Sequence, residues 1–274
     1  MFWIIQGNLT KEDSLSKLIK YIKESKIEHK LVKPIPFSEF IVDIETNVNN
    51  HDIEDLPKLS FDNSKQMVTI GSYTLAKFAK ANNWTPGAFI NENFEFSKWI
   101  NGWGKDNMLN GLAIESKVKD MVIPKDWYKV FARPSEDTKS FAGQVFEVDN
   151  LTYWFNQLTE YGDPCGLCGE TSVIVSPLKE ILAEYRFFVV DGKVVTGSLY
   201  KIRDQVISSE SIDPIAFNFA NKMLELWQPD RAFVLDIAIT SDGPKIIEVN
   251  NINSSGFYKA NIGAIVDSIN DMIF

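Results

Sequence analysis

Residues 231–250 read RAFVLDIAITSDGPKIIEVN, two apolar runs on either side of a turn rich in Ser, Asp, Gly and Pro. Such a stretch folds most simply as an antiparallel hairpin. Each run carries one acid where the period of two asks for an apolar side chain: Asp236 in the first and Glu248 in the second. A buried carboxylate needs a cation or hydrogen-bond donors, so each acid implies a partner. Register decides whether the two meet. A two-residue Asp242-Gly243 turn sets Asp236 opposite Val249, whereas a five-residue loop, Thr240–Pro244, sets it opposite Glu248 with Asn250 two residues on along the same face. The longer loop is expected. Two carboxylates and an amide then converge, and hard oxygen donors of this kind suit Mg²⁺ beside phosphate oxygens. An edge hairpin with solvated acids, one of them paired with Lys245, is the alternative at this point.

Strands are frequent from about residue 117 onward: WYKVFA, GQVFEV, TSVIVS, EYRFFVV and KVVTGSLYK precede the hairpin. Helices are predicted over NLTYWFNQLTEYG and IAFNFANKMLELW. A last helix near residues 258–274 puts Ile262, Ile265, Val266, Ile269 and Ile273 on one face. The pattern is α+β with mostly antiparallel neighbours. The N-terminal part begins with a strand in MFWIIQG. Thr10 and Asp13 resemble a capping box opening the helix SLSKLIKYIKESK, and EHKLVKPIPF reads as a second strand. This βαβ-like start lacks a G-x-G-x-x-G fingerprint. Trp99 and Trp103, one helical turn apart in FEFSKWINGWGKDNML, read as core packing in preference to base stacking.

With 274 residues, 45% of them hydrophobic, the chain can bury a large core. Its formal charge of −9 disfavours a broad grip on nucleic acid or an anionic membrane. No apolar run approaches the length of a membrane span, and MFWIIQGNLTKED lacks the pattern of a signal peptide, so a cytoplasmic protein is expected. Cys165 and Cys168 form a single C-x-x-C in GDPCGLCGE with both histidines, His29 and His51, far away in sequence. They read as incidental thiols in a Gly-rich turn.

A metal patch beside phosphate implies a polyphosphate partner. In WYKVFARPSEDTKSFAGQVFEV a strand ends at Arg133-Pro134, a polar loop follows, and Gly143 leads into the next strand. Such a loop can fold N–H groups and Lys139 over phosphates while Arg133 offers a bidentate fork; a solvated basic hairpin is the alternative. Further on, Glu184 sits where a carboxylate can take both ribose hydroxyls, or where it can simply pair with Arg186 across strands.

The order of these parts resembles the ATP-grasp superfamily, in which two α+β subdomains clamp ATP. LDIAI…IIEVNNINSSGF is the most specific stretch. Arg133 stands where most of the superfamily has Lys, which is similar to a clade frequent in phage genomes. The resemblance implies an α/β domain over residues 1–116 and an ATP-grasp domain over 117–274, with subdomains of about 117–178 and 179–274. It implies ATP held by Arg133, Lys139 and Ser140 of the phosphate loop, by Ser176, Leu178 and Glu180 of the hinge, and by Glu184 at the ribose. Pro177 takes the place of the usual hinge acid. Mg²⁺ falls to Asp236, Glu248 and Asn250, and the γ-phosphate and acyl oxyanion to Arg186, Lys201 and Arg203. The implied activity is ligation of a carboxylate to an amine through an acyl phosphate, with small-molecule or peptide substrates and no protein nucleophile. A kinase-like phosphotransfer and a non-catalytic ATP-binding module are the alternatives, and a homodimer is left open.

Overall fold

The computed structural model describes residues 1–274 apart from 10–12, 36–37, 39, 47–58, 91–92, 94 and 136–140, and apart from the side chain of Ser254. Thr10 of the expected capping box therefore lies outside the described residues.

The first sheet contains β1 (Phe2–Gln6), β2 (His29–Pro34), β3 (Ile41–Asp43), β4 (Met67–Ile70) and β5 (Pro86–Gly87), in the order β3-β2-β1-β4-β5. β1 runs parallel to both β2 and β4. The chain returns from β1 to β2 through α1 (Asp13–Glu24) and from β4 to β5 through α2 (Tyr73–Ala81). The three- and four-residue spacing of Leu15, Leu18 and Ile22 gives α1 one buried apolar stripe. This is the α/β layer of the fold.

The second sheet, entirely antiparallel, has the order β6-β9-β7-β8, with β6 (Ile114–Lys117), β7 (Lys129–Pro134), β8 (Gln144–Glu147) and β9 (Ser172–Pro177). Helix α4 (Val148–Tyr161) covers it with Leu151, Phe155 and Leu158 against Val130, Ala132, Val173 and Val175. The turn holding Cys165 and Cys168 follows this helix. Both thiols are free, and the turn is shaped by Asp163, whose Oδ1 accepts from the Leu167 N–H at 2.7 Å.

The third sheet is also antiparallel, in the order β12-β11-β10-β13-β14: β10 (Ile181–Val190), β11 (Lys193–Ile202), β12 (Gln205–Ser209), β13 (Ala232–Thr240) and β14 (Gly243–Asn250). One face packs under α3 (Phe96–Trp103) and α5 (Pro214–Leu226), where Phe187, Val189, Leu235 and Ile237 meet Trp103 and Ala220. Trp99 and Trp103 are both buried, and Trp103 Nε1 donates to the carbonyls of Met223 and Trp227, both at 3.0 Å. The pair belongs to the core.

On the opposite face Phe188, Val190 and Val234 share a cluster with α1, with Trp3 and Val68 of the first sheet, and with α6 (Ile262–Asn270). That last helix is shorter than its sequence pattern predicts. Ile265, Val266 and Ile269 are buried as expected, but the helix stops at Asn270, and Ile273 is 85% exposed in the tail. No helix among the described residues is long and apolar enough to cross a membrane.

Candidate active site

Asp236 and Glu248 do stand opposite each other, but not by the expected route. The connection is a two-residue turn, Ser241-Asp242, closed by the pair Thr240–Gly243, in place of a five-residue loop. Continued regularly, that turn would bring Ile247 opposite Asp236. A β-bulge intervenes: Ile237 pairs with Ile246 and Asp236 with Glu248, so Ile247 is the extra residue. The bulge turns Ile247 and Glu248 toward the same open space, where simple alternation would send them to opposite faces.

The two acids live in different surroundings. Asp236 is wholly buried at 1% exposure, whereas Glu248 is exposed. Arg186, on the neighbouring strand β10, grips Asp236 with both arms of its fork: Nε donates to Oδ1 at 2.8 Å and Nη2 to Oδ2 at 2.6 Å. Asn250 Nδ2 bridges the acids, donating to Asp236 Oδ2 at 3.1 Å and to Glu248 Oε1 at 2.8 Å. Lys245 takes no part, donating instead to the Asp106 carbonyl at 2.5 Å. The solvated-hairpin alternative fails on the burial of Asp236.

Burial pushes the Asp236 carboxyl up, toward about 6, with Glu248 and Glu184 adding to the rise and the Arg186 guanidinium opposing it. Burial also works against the charge on Arg186, but the hydrogen bonds and charge of Asp236 outweigh it and hold the guanidinium above its ordinary value. With two charge-assisted bonds at these lengths the pair is ionic. Among the described residues no three His, Cys, Asp or Glu side chains gather as a metal site, so a cation here would depend on the amide as third ligand. Asp236, Glu248 and Asn250 meet that condition. Asn250 Nδ2 already marks a point within hydrogen-bond reach of both carboxylates, and amide rotation would offer Oδ1 in its place.

Two cavities open beside this cluster between the second and third sheets, sharing Asn110, Phe131 and Ile247 as a common wall. The one of about 400 Å³ is bordered by Arg133, Ser135, Gly143, Glu248 and Asn250. Arg133 Nη1 donates to the Pro134 carbonyl at 3.2 Å, and the Ser135 hydroxyl is buried without a partner among the described residues. Lys139 and Ser140, from the same β7–β8 loop, lie outside the described residues. The second cavity, about 640 Å³, is bordered by Leu178, Glu180, Glu184, Lys201 and Arg203. Both volumes suit a small-molecule site.

Glu184 is nearly buried. It does not pair with Arg186; its Oε2 accepts from Tyr200 Oη at 2.6 Å and its Oε1 lies 2.9 Å from Lys201 Nζ. Burial, reinforced by Asp236 and Glu184, holds the Tyr200 phenol far above its ordinary range, so the hydroxyl keeps its proton and donates it. Leu178 is half exposed at the cavity, but its backbone N–H already bonds the Lys129 carbonyl at 3.0 Å, leaving the chain from Lys179 onward to meet a ligand edge. Ser176 is buried and donates to Asn110 Oδ1 at 3.0 Å. Of the three cations expected near the acids, Arg186 touches them. Lys201 and Arg203 instead line the larger cavity, Arg203 lying 4.0 Å from Glu180.

The chain matches the model of an ATP-grasp domain family, the third family of its clade, over residues 52–269. It belongs to that family. Solved structures agree on the fold. A RimK domain ATP-grasp protein from Sphaerobacter thermophilus superposes with a TM-score of 0.62 at 13% identity, covering 97% of this chain and 98% of its own. The D-cycloserine synthetase DcsG gives 0.60 at 12%, covering 98% of each chain. A D-alanine–D-alanine ligase from Bacillus anthracis, solved with ATP, gives 0.55 at 13%, covering 98% of this chain and 91% of its own. A search of curated protein sequences returns no match. ATP-grasp architecture thus accounts for two antiparallel sheets facing each other across the two cavities.

Three contributors to the site carry no local sequence signal. Asn110 is remote from every motif and reaches both cavities from the segment before β6. Tyr200 and Tyr258 read as ordinary strand and loop aromatics until the fold stacks them beside Arg186.

Proposed function

We propose that the protein is an ATP-dependent ligase joining a carboxylate to an amine, with release of ADP and phosphate. The observation that carries this reading is the Arg186–Asp236–Asn250–Glu248 cluster at the rim of paired cavities in a member of the ATP-grasp family. The larger cavity would take the nucleoside, with Leu178 and Phe131 against the base and Glu184 at the ribose hydroxyls. The smaller would take the phosphates, with Arg133, the buried Ser135 hydroxyl, Lys139 and Ser140 around them. Asp236, Glu248 and Asn250 would hold Mg²⁺, which supplies charge neutralisation between β- and γ-phosphate oxygens.

The chemistry balances without a protein nucleophile. A substrate carboxylate oxygen attacks the γ-phosphorus, the bond to the β-phosphate oxygen breaks, and ADP leaves. The amine nitrogen then attacks the acyl carbon, phosphate departs with the bonding electrons of the acyl C–O bond, and the amine proton passes to solvent or phosphate. Arg186 contributes fixed positive charge facing the transferred group, and the bidentate Asp236 keeps that guanidinium from turning away. Positioning and preorganised charge are the protein's contribution. Lys201 and Arg203 add positive charge along the nucleotide side.

The test is a panel of amino acids, short peptides and metabolite acids incubated with Mg-ATP and hydroxylamine. ADP and hydroxamate should form together for the right acid, because hydroxylamine captures the acyl phosphate. AMP and pyrophosphate as products would contradict the mechanism, and ADP with a stable phosphorylated product would indicate kinase chemistry instead.

A further inference from the structure

Glu184 and Arg186 are two residues apart on β10, so their side chains share a face of the sheet. They make no bond to each other, yet one aromatic pair touches both. Tyr200 and Tyr258 stack with centroids 5.1 Å apart and planes inclined by 12°. The Arg186 guanidinium carbon lies 5.5 Å from the Tyr200 ring and 5.2 Å from the Tyr258 ring. Tyr200 also donates its phenol to Glu184 at 2.6 Å.

Tyr258 is held in place from the other side. Its backbone is left-handed, with φ of 49°, and it follows Gly256, whose carbonyl accepts from Arg186 Nη1 at 3.3 Å. The Phe257 N–H donates to Ser14 Oγ on α1 at 2.9 Å, which anchors the segment to the α/β layer. A cation facing two rings gains electrostatic attraction and loses freedom to swing.

We propose that Tyr200 and Tyr258 are positioning residues forming a bracket: Tyr200 sets Glu184 for the ribose, and both rings set Arg186 for the terminal phosphate. The two ends of the nucleotide are thereby aligned by one aromatic pair. The proposal rests on the ATP reading above and deepens it, since it assigns to residues outside the phosphate and metal ligands the spacing between ribose and γ-phosphate recognition.

The experiment is a calorimetric titration of ATP, ADP and 2′,3′-dideoxy-ATP, in Mg²⁺, into wild type, Tyr200→Phe, Tyr258→Phe and Tyr258→Leu. Tyr200→Phe keeps the stack and loses one hydrogen bond, so ATP and ADP should weaken alike by about fivefold. Binding of dideoxy-ATP should be the same as in wild type, because there are no ribose hydroxyls for Glu184 to hold. Tyr258→Leu should weaken ATP more than ADP, and Tyr258→Phe should restore the wild-type ratio. Leu and Phe meet the same left-handed backbone as Tyr, so the comparison isolates the ring. A Tyr200→Phe loss as large for dideoxy-ATP as for ATP would overturn the bracket, as would equal loss of ATP and ADP in Tyr258→Leu. Wild-type affinity in every variant would overturn it alone, whereas no nucleotide binding by the wild type would overturn the ATP reading with it.

Discussion

The five-stranded sheet of β10 to β14 has two unlike faces. Beneath α5 the strands present Tyr185, Phe187, Val189, Leu235 and Ile237, all buried in one apolar cluster. On the other face, Phe188, Val190 and Val234 are equally buried under α1 and α6, but the row then changes to Glu184, Arg186 and Asp236. The same strands thus satisfy two demands. The first face is what hydrophobic burial alone would select. The second gives up part of its apolar surface to an ion pair whose desolvation cost roughly cancels its attraction. A buried pair of that kind stabilises the fold little, so its presence indicates a ligand. The difference between the faces separates what keeps the chain folded from what the chain is for.

That separation can be broken most forcefully on the apolar face. Phe187→Ala should destabilise the protein by about 3–5 kcal/mol through lost transfer energy and a residual cavity. Denaturant unfolding measures the loss, and the fraction that stays folded should bind ATP with wild-type affinity. Binding lost in proportion to stability would mean that the two faces are not separable.

The next test falls on the polar row. Arg186→Met alone strands the buried Asp236 and should cost about 3–5 kcal/mol, whereas Arg186→Met with Asp236→Leu should recover most or all of it. Both variants should be inactive. A double variant that stayed as unstable as the single one would show that the pair serves the fold after all.

Smaller effects sharpen the boundary at the phosphate cavity. Arg133→Ala should weaken ATP binding by about 1.5–3 kcal/mol, the worth of a charge-assisted hydrogen bond, and leave the melting temperature unchanged. Arg133→Lys should lose only part of that, since it keeps the charge and gives up the fork. Titration of both variants checks the order, and equal losses would assign the effect to geometry instead of charge.

The two faces also differ in how legible they were in the sequence. Alternation in RAFVLDIAI and EYRFFVV marks the apolar rows, and the helices over residues 148–161 and 214–226 follow from their periodicity. The interruptions at Asp236 and Glu248 pointed to the right pair for the wrong reason, because a bulge at Ile247 is a backbone event that no residue type in KIIEV announces. Burial was the larger surprise. Asp236 and Glu248 look alike in sequence, yet one sits in a central strand gripped by Arg186 and the other on the edge strand. Ile273 failed for a related reason: periodicity continues past the point where α6 has sheet left to cover. Asn110 and the two tyrosines join the site through contacts between distant segments, which local pattern does not encode.

The most direct measurement compares Glu248→Gln with wild type in thermal unfolding and in Mg-ATP turnover on the same preparation. Glu248 is exposed and its one described hydrogen bond is to Asn250, so the melting temperature should stay within the range of a surface change, about 0.5 kcal/mol. Turnover should be abolished at all Mg²⁺ concentrations, because an acceptor carboxylate has become a neutral amide at the proposed metal. A stable variant without turnover is the result this account predicts. Wild-type turnover in Glu248→Gln would contradict it.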